Sequence, residues 1–135
     1  MIKVVLDTNI VVSAALKEGS LPALLLSLAL RREIQAFVSS KMLSEYREVL
    51  KRPKFGLGRK EIEDLLGEIE KNMIMVHPSE RVDKIKGDEA DNRILECAKE
   101  AKVDFIITGN KRHFPFREFE GAKVVSPREF IRYFI

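Results

Sequence analysis

Apolar runs of strand length alternate with stretches of helical period along the whole chain. Ile2–Leu6 is a short, mostly apolar run that reads as a buried strand. A short helix is expected over Ile10–Leu16, closed by Gly19-Ser20. Ser20 can cap a second helix, with Pro22 in its first turn, running to about Arg32. Ala36–Val38 predicts a second strand, and Ser39 or Ser40 then caps a helix that Pro53 stops. Lys54–Gly58 reads as a loop. Ile62, Leu65, Leu66, Ile69 and Met73 recur at helical spacing, so Arg59–Asn72 is an amphipathic helix, followed by a strand at Met73–Val76. Asp88 can cap a helix to about Lys102. Phe105–Thr108 and Lys123–Val125 are apolar strands, and Ser126-Pro127-Arg128-Glu129 is a capping box that opens a last helix. Strands separated by helices point to a parallel sheet covered on both faces.

Composition narrows the class of protein. A chain of 135 residues, 45% hydrophobic and 33% charged, fits one globular domain over 1–135. The net charge of +3 suits a polyanionic partner without arguing for one. Cys97 has no second cysteine to pair with, which favours a reducing, cytoplasmic setting, and the residue itself reads as core. The longest apolar stretch, Leu21 to Leu30, is too short to span a bilayer, so no membrane association is expected. It carries more apolar residues than one buried face needs, which suggests self-association.

Candidate chemistry sits at strand ends. Asp7 follows the first strand, with Thr8 and Asn9 behind it. All three residue types cap helices, yet a carboxylate at the carboxyl end of a buried strand is also where open α/β sheets place their ligands. In the helix after Ser40, the apolar face is Met42, Leu43, Tyr46, Val49 and Leu50. Glu45 borders that face and Glu48 lies opposite, so Glu45 is the acid to look for in a cleft. Taken alone it reads first as a solvated, ion-paired residue. Asp88 and Asp91 open a later helix, where acids are stabilised by the helix dipole in any case. Asp91 flanks the buried stripe of Ala90, Ile94, Cys97 and Ala101, while Asn92 and Arg93 are expected at the surface. The strand at Phe105–Thr108 ends on Gly109 and Asn110, an amide where the first strand ends on an acid.

Asp7, Glu45 and Asp91 brought together would repel one another and raise each other's pKa. A hard divalent cation relieves that repulsion, and Mg²⁺ or Mn²⁺ prefers such oxygen ligands. Zinc spacings, a phosphate-binding glycine loop and a nucleophilic triad are all missing from the sequence. His77 precedes a proline, and His113 lies in a basic loop.

Taken in order, these motifs resemble the PIN-domain ribonuclease family nearly end to end. Val4-Val5-Leu6-Asp7-Thr8-Asn9 is similar to its first motif, Ser39 to Glu45 to its second, Asp88 to Arg93 to its third, and Ile107 to Asn110 to its fourth. Glu48 to Phe55 is similar to a subgroup of VapC-like toxin components of toxin–antitoxin pairs. The resemblance implies a three-layer α/β/α sandwich and hydrolysis of RNA with Mg²⁺ or Mn²⁺. It makes Asp7, Glu45 and Asp91 the metal-binding catalytic set, with Asp88 and Asn110 as further ligands. Asn110 is the departure, because many relatives carry a fourth Asp there. Thr8, Asn9 and Thr108 would orient carboxylates or water. An antitoxin and a second copy of the chain are the implied protein partners.

Basic residues that would meet the RNA backbone are Lys51, Arg52 and Lys54, then Arg59 and Lys60, then Lys111 and Arg112, the last pair being best placed. Phe55, Phe114 and Phe116 read as packing residues first and base-stacking residues second. Two other readings stay open. One is a PIN-fold module that binds RNA or protein without cutting, for which Asn110 is the sequence support. The other, more remote, is a phosphotransfer domain of the haloacid-dehalogenase or receiver type. Its dehalogenase form needs a second Asp where Asn9 stands, and its receiver form needs paired acids near the first strand.

Overall fold

A computed structural model describes residues 1–85 and 87–135. The elements run β1 (Lys3–Leu6), α1 (Thr8–Leu16), α2 (Leu21–Leu30), β2 (Gln35–Val38), α3 (Ser40–Leu50), α4 (Arg59–Asn72), β3 (Ile74–Met75), α5 (Glu89–Ala101), β4 (Phe105–Ile107), β5 (Glu118–Phe119), β6 (Ala122–Val125) and α6 (Pro127–Phe134). Two single 3₁₀ turns, Pro53–Phe55 and Lys111–His113, stand where the sequence suggests plain loops. Six strands form one sheet in the order β3-β2-β1-β4-β6-β5. Five of them are parallel, and the two-residue β5 pairs antiparallel with β6 at the edge. That edge strand is too short to leave a periodic signal. Helices cover both faces in the expected three-layer α/β/α arrangement, which is why successive residues Val4, Val5 and Leu6 are all buried.

The caps fall where side-chain chemistry directs them. Ser20, Ser39 and Ser126 each accept a backbone N–H at the start of their helix. Pro22 and Pro127 sit in first turns, where a missing N–H costs nothing. α2 ends at Arg31 and Arg32, and Arg32 turns the chain with φ 60°. Cys97 is fully buried, and burial pushes its thiol up to about 12, so it is an inert core residue.

α2 spends its apolar surplus inside the chain. It packs against α1, α4 and α6, and Leu24 is its one exposed large apolar residue. The surplus that suggested self-association therefore has an intrachain explanation. Among the described residues no single helix is long and apolar enough to cross a membrane, and the apolar pair α1 and α2 is bent by 106°.

Asn92 and Arg93 depart from the surface position expected of them, for both are buried. They belong to a polar stripe on α5 that grips the backbone leading into that helix. Asn92 accepts the Ile85 N–H at 2.9 Å and donates to the Ile85 carbonyl at 2.7 Å. Arg93 donates to the Val82 carbonyl at 3.1 Å and pairs with Glu96 at 3.0 Å, while Glu96 accepts the Val82 N–H at 2.9 Å. One turn further on, Glu100 accepts the Ser79 N–H at 2.8 Å. Positions 92, 93, 96 and 100 recur with the helical period, so one face of α5 holds the strap and sets where Asp88 enters the helix.

The strand order positions the site. From β1 the chain builds outward through β2 to β3, then returns to add β4 on the other side of β1. The reversal falls between β1 and β4, and the carboxyl ends of parallel strands at such a reversal leave a crevice that connecting loops do not fill. Asp7 follows β1 at that crevice, and Thr108 follows β4.

Candidate metal centre

Asp7 is 4% exposed and held by three donors. Its Oδ1 accepts the Thr8 N–H at 2.7 Å; its Oδ2 accepts the Thr108 hydroxyl at 2.6 Å and the Asn9 amide at 3.1 Å. The same carboxylate that caps α1 also lines the crevice, so capping does not take Asp7 out of the cleft. Burial raises its pKa, and the Thr108 and Thr8 bonds oppose that rise by stabilising the charged form. Asn9 is itself fixed, because its Oδ1 accepts the Gly109 N–H at 2.8 Å. A Cβ on Gly109 would lie 3.1 Å from that oxygen, so a side chain there would press on the Asn9 amide.

α3 is tied to the end of β1 by the buried Tyr46, whose hydroxyl donates to the Leu6 carbonyl at 2.6 Å. Its neighbour Glu45 is thereby brought to the cleft, while Glu48 stays exposed. Burial raises the pKa of Glu45, and the nearby charge of Glu48 adds to it.

Asp91 arrives from α5. It is 5% exposed, and its Oδ2 is buried without a hydrogen-bond partner. Asp88 caps α5 by accepting the Asp91 N–H at 3.0 Å and lines the same cleft. Burial first, then the charge of Asp7, push the Asp91 carboxyl up to about 8. An orphaned buried carboxylate oxygen beside a second buried carboxylate is an arrangement that a cation completes. Donor atoms of Asp7, Asp91 and His113 all lie within 4.8 Å of one another; the two carboxylates fit a hard divalent ion, and Glu45 and Asp88 line the same cleft outside that group.

His113 was not a candidate in the sequence. It lies three residues past Asn110, and nothing local announces that the 3₁₀ turn at Lys111–His113 folds its ring back over Asp91. Its Nδ1 is 3.7 Å from Asp91 Oδ2. Asn110 explains the ring's pose. Its Oδ1 accepts the Arg112 N–H at 3.1 Å, which sets the amide, and its Nδ2 then donates to His113 Nε2 at 3.1 Å. The neutral ring therefore carries its proton on Nδ1, facing Asp91. Asn110 itself is not among the residues that line the cleft.

Thr8 lines the cleft; Thr108 is fully buried behind Asp7, and its oxygen also accepts the Asn110 N–H at 3.1 Å. Lys111 pairs with Glu129 at 2.8 Å, a bond that holds the Glu129 carboxyl down at about 2. Arg112 is exposed beside it. Of the basic residues singled out, the one lining the cleft is Arg52. Phe114 is buried, its ring centroid 6.4 Å from that of Phe116, whereas Phe55 lines the cleft. The cleft encloses about 420 Å³.

The raised Asp91 carboxyl has a measurable consequence. A cation displaces its proton, so Mn²⁺ added at pH 7 is expected to release about one proton per ion, and much less at pH 9. Calorimetry in two buffers of different ionisation enthalpy reads this directly, and equal heats in both would refute it. For the metal-free chain the sign of the stability effect is fixed as well. The folded chain keeps a proton that the unfolded chain gives up above its ordinary value of 3.8. Rising pH between that value and about 8 therefore favours unfolding.

Comparison with known proteins bears on the same residues. The family model described as PIN domain matches residues 3–112, which span β1 through β4 and include Asp7, Glu45, Asp88 and Asp91. An uncharacterized protein of Methanocaldococcus jannaschii, MJ1680, is 30% identical over 144 residues, a match covering 98% of this chain and 92% of that one.

Proposed function

From the premise that the chain belongs to the PIN-domain family, we propose that it is a metal-dependent ribonuclease acting at the cleft between β1 and β4. The observation that carries this reading is Asp91 Oδ2, buried and unpartnered next to the carboxylate of Asp7. Asp7, Glu45 and Asp91 would hold Mg²⁺ or Mn²⁺, with Asp88 at the rim. When bound, such an ion lowers the pKa of water and stabilises the leaving oxygen of a phosphodiester.

The protein's own groups do the positioning. Thr8, Asn9 and Thr108 hold the Asp7 carboxylate in one orientation, so its oxygens need not reorganise when charge develops. Asn110 acts through His113, whose Nδ1–H it directs at Asp91, in place of a fourth acid. Arg52, Lys111 and Arg112 supply positive charge for the RNA backbone.

The finer reading, a toxin of a toxin–antitoxin pair with a cognate antitoxin and a homodimeric form, is supported by the resemblance of Glu48 to Phe55 alone. The chemistry is tested with purified protein and single-stranded RNA. Cleavage is expected with Mn²⁺ or Mg²⁺ and is expected to stop on addition of EDTA. Cleavage that persists in EDTA removes the metal from the mechanism. RNA that is bound but never cut, with no saturable Mn²⁺ binding, favours a binding module.

A further inference from the structure

The cleft does not end with its acids. Beyond Glu45 its wall turns apolar, with Val12 and Leu16 one turn apart on α1, Val49 on α3 and Phe55 on the 3₁₀ turn. Leu16 is 45% exposed, so water wets this shelf. Holding a cation and hydrolysing a phosphodiester needs oxygen donors and positive charge, and gives no reason for apolar surface running into the site.

Arg52 lines the same cleft. It is close enough to Glu45 to oppose the rise of that acid's pKa, and it makes no ion pair with a carboxylate among the described residues. The Phe55 ring offers a face to charged groups already, for Lys54 Nζ lies 5.2 Å from its centroid. Aromatic ring, apolar wall, cation and acids thus share one cleft, the set of groups that a base, its phosphate and the bond to be cut would meet. The volume of about 420 Å³ falls in the range, roughly 300–1,000 Å³, of pockets that enclose one small ligand.

We propose that this shelf is a base-binding subsite, in which one unpaired base of an RNA strand stacks on Phe55 against Leu16 and Val49 while Arg52 holds the adjoining phosphate. The inference rests on the ribonuclease reading and adds to it the side chains of this chain that receive one nucleotide. Bases within a duplex already have both faces stacked, so the subsite selects single-stranded RNA. Stacking on an aromatic ring tolerates any base, so the subsite sets strandedness without setting sequence.

The probe is a single-stranded RNA octamer carrying 2-aminopurine, titrated onto protein with Asp7→Asn so that it is not cut. Phe55→Leu keeps an apolar side chain and removes the ring; Phe55→Trp restores a ring. Phe55→Leu is expected to weaken octamer binding about 5- to 100-fold and to abolish quenching of 2-aminopurine, and Phe55→Trp to recover both. With Asp7 intact, Phe55→Leu should raise KM while kcat and Mn²⁺ affinity hold. Octamer annealed to its complement should compete poorly. Equal affinity and quenching in Phe55→Leu overturns the proposal, as does equal competition by the duplex. Unchanged RNA binding with loss of a dimer in sedimentation would overturn it too, and would assign the shelf to a second copy of the chain. Phe55-dependent quenching with no cleavage by the unmutated chain leaves the subsite standing and removes the nuclease reading. Cleavage whose KM ignores Phe55 does the reverse.

Discussion

Asp7→Asn is expected to abolish metal-dependent cleavage, with a loss of roughly a thousandfold or more. Lewis-acid stabilisation of a phosphodiester transition state supplies several kcal/mol, and each 1.36 kcal/mol is about tenfold in rate. The substitution keeps the shape of the side chain and removes the charge on which the ion depends. It also puts an amide NH₂ opposite groups that now donate. Asp7 receives the Thr8 N–H on one oxygen and the Thr108 hydroxyl and Asn9 amide on the other, so either orientation of the new amide faces a donor with a donor. That mismatch destabilises the variant, while the loss of repulsion against Asp91 works the other way. Melting measured alongside turnover separates the two effects. A folded variant with more than a tenth of the original rate would sink the assignment of Asp7 as the central ligand. The same variant should also lower the Asp91 pKa, since the charge of Asp7 ranks after burial among the causes of its rise.

Arg93→Ala is expected to cost about 3–5 kcal/mol of folding stability. The side chains of Arg93 and Glu96 are 9% and 6% exposed, so this is a buried pair. Truncation leaves the Glu96 carboxylate buried with the Val82 N–H alone and leaves the Val82 carbonyl without its donor. Arg93 Nε already lacks a partner. That limits the net worth of the network but does not reduce the cost of breaking it, because the penalty comes from the charge left behind. Urea denaturation reads the loss, and a change under 1 kcal/mol would mean that the strap is not held as described. Replacing both residues together, Arg93→Met with Glu96→Leu, should recover most of the stability, since no buried charge remains. Recovery of stability without recovery of metal affinity would separate the strap's role in placing Asp88 from its role in folding.

The frame was legible because its signals are local. Ser20, Ser39 and Ser126 act on N–H groups within a few residues, and α4 begins and ends where its apolar period does. The strand-end acids were legible for the same reason, since a carboxylate after a buried strand is visible without partners. β5 was not, because two residues carry no period. Asn92 and Arg93 were misplaced because a polar residue beside a helix stripe looks solvent-facing until something polar is packed over it. Here that something is the strap backbone, whose N–H and C=O groups require partners. His113 was read as a member of a basic loop, and Arg52 as one of several basic residues that would meet the RNA backbone. Each is positioned by a short 3₁₀ turn, and the direction of such a turn depends on the body it lies against.

Order along the chain was enough to establish alternating strands and helices and the family resemblance, and to single out Asp7, Glu45 and Asp91 as candidates. Backbone capping and hydrophobic period act over one or two turns, and motif spacing survives without any knowledge of contacts. Convergence was decided by the fold. The reversal of strand order beside β1 opens the crevice, and Tyr46 on the Leu6 carbonyl brings Glu45 to it. Burial turns Asp91 from an ordinary helix-start acid into an unpartnered oxygen next to Asp7, and an amide at position 110 becomes the holder of a histidine. These outcomes depend on the desolvation of groups far apart in sequence, and desolvation exists only once the chain has closed around them.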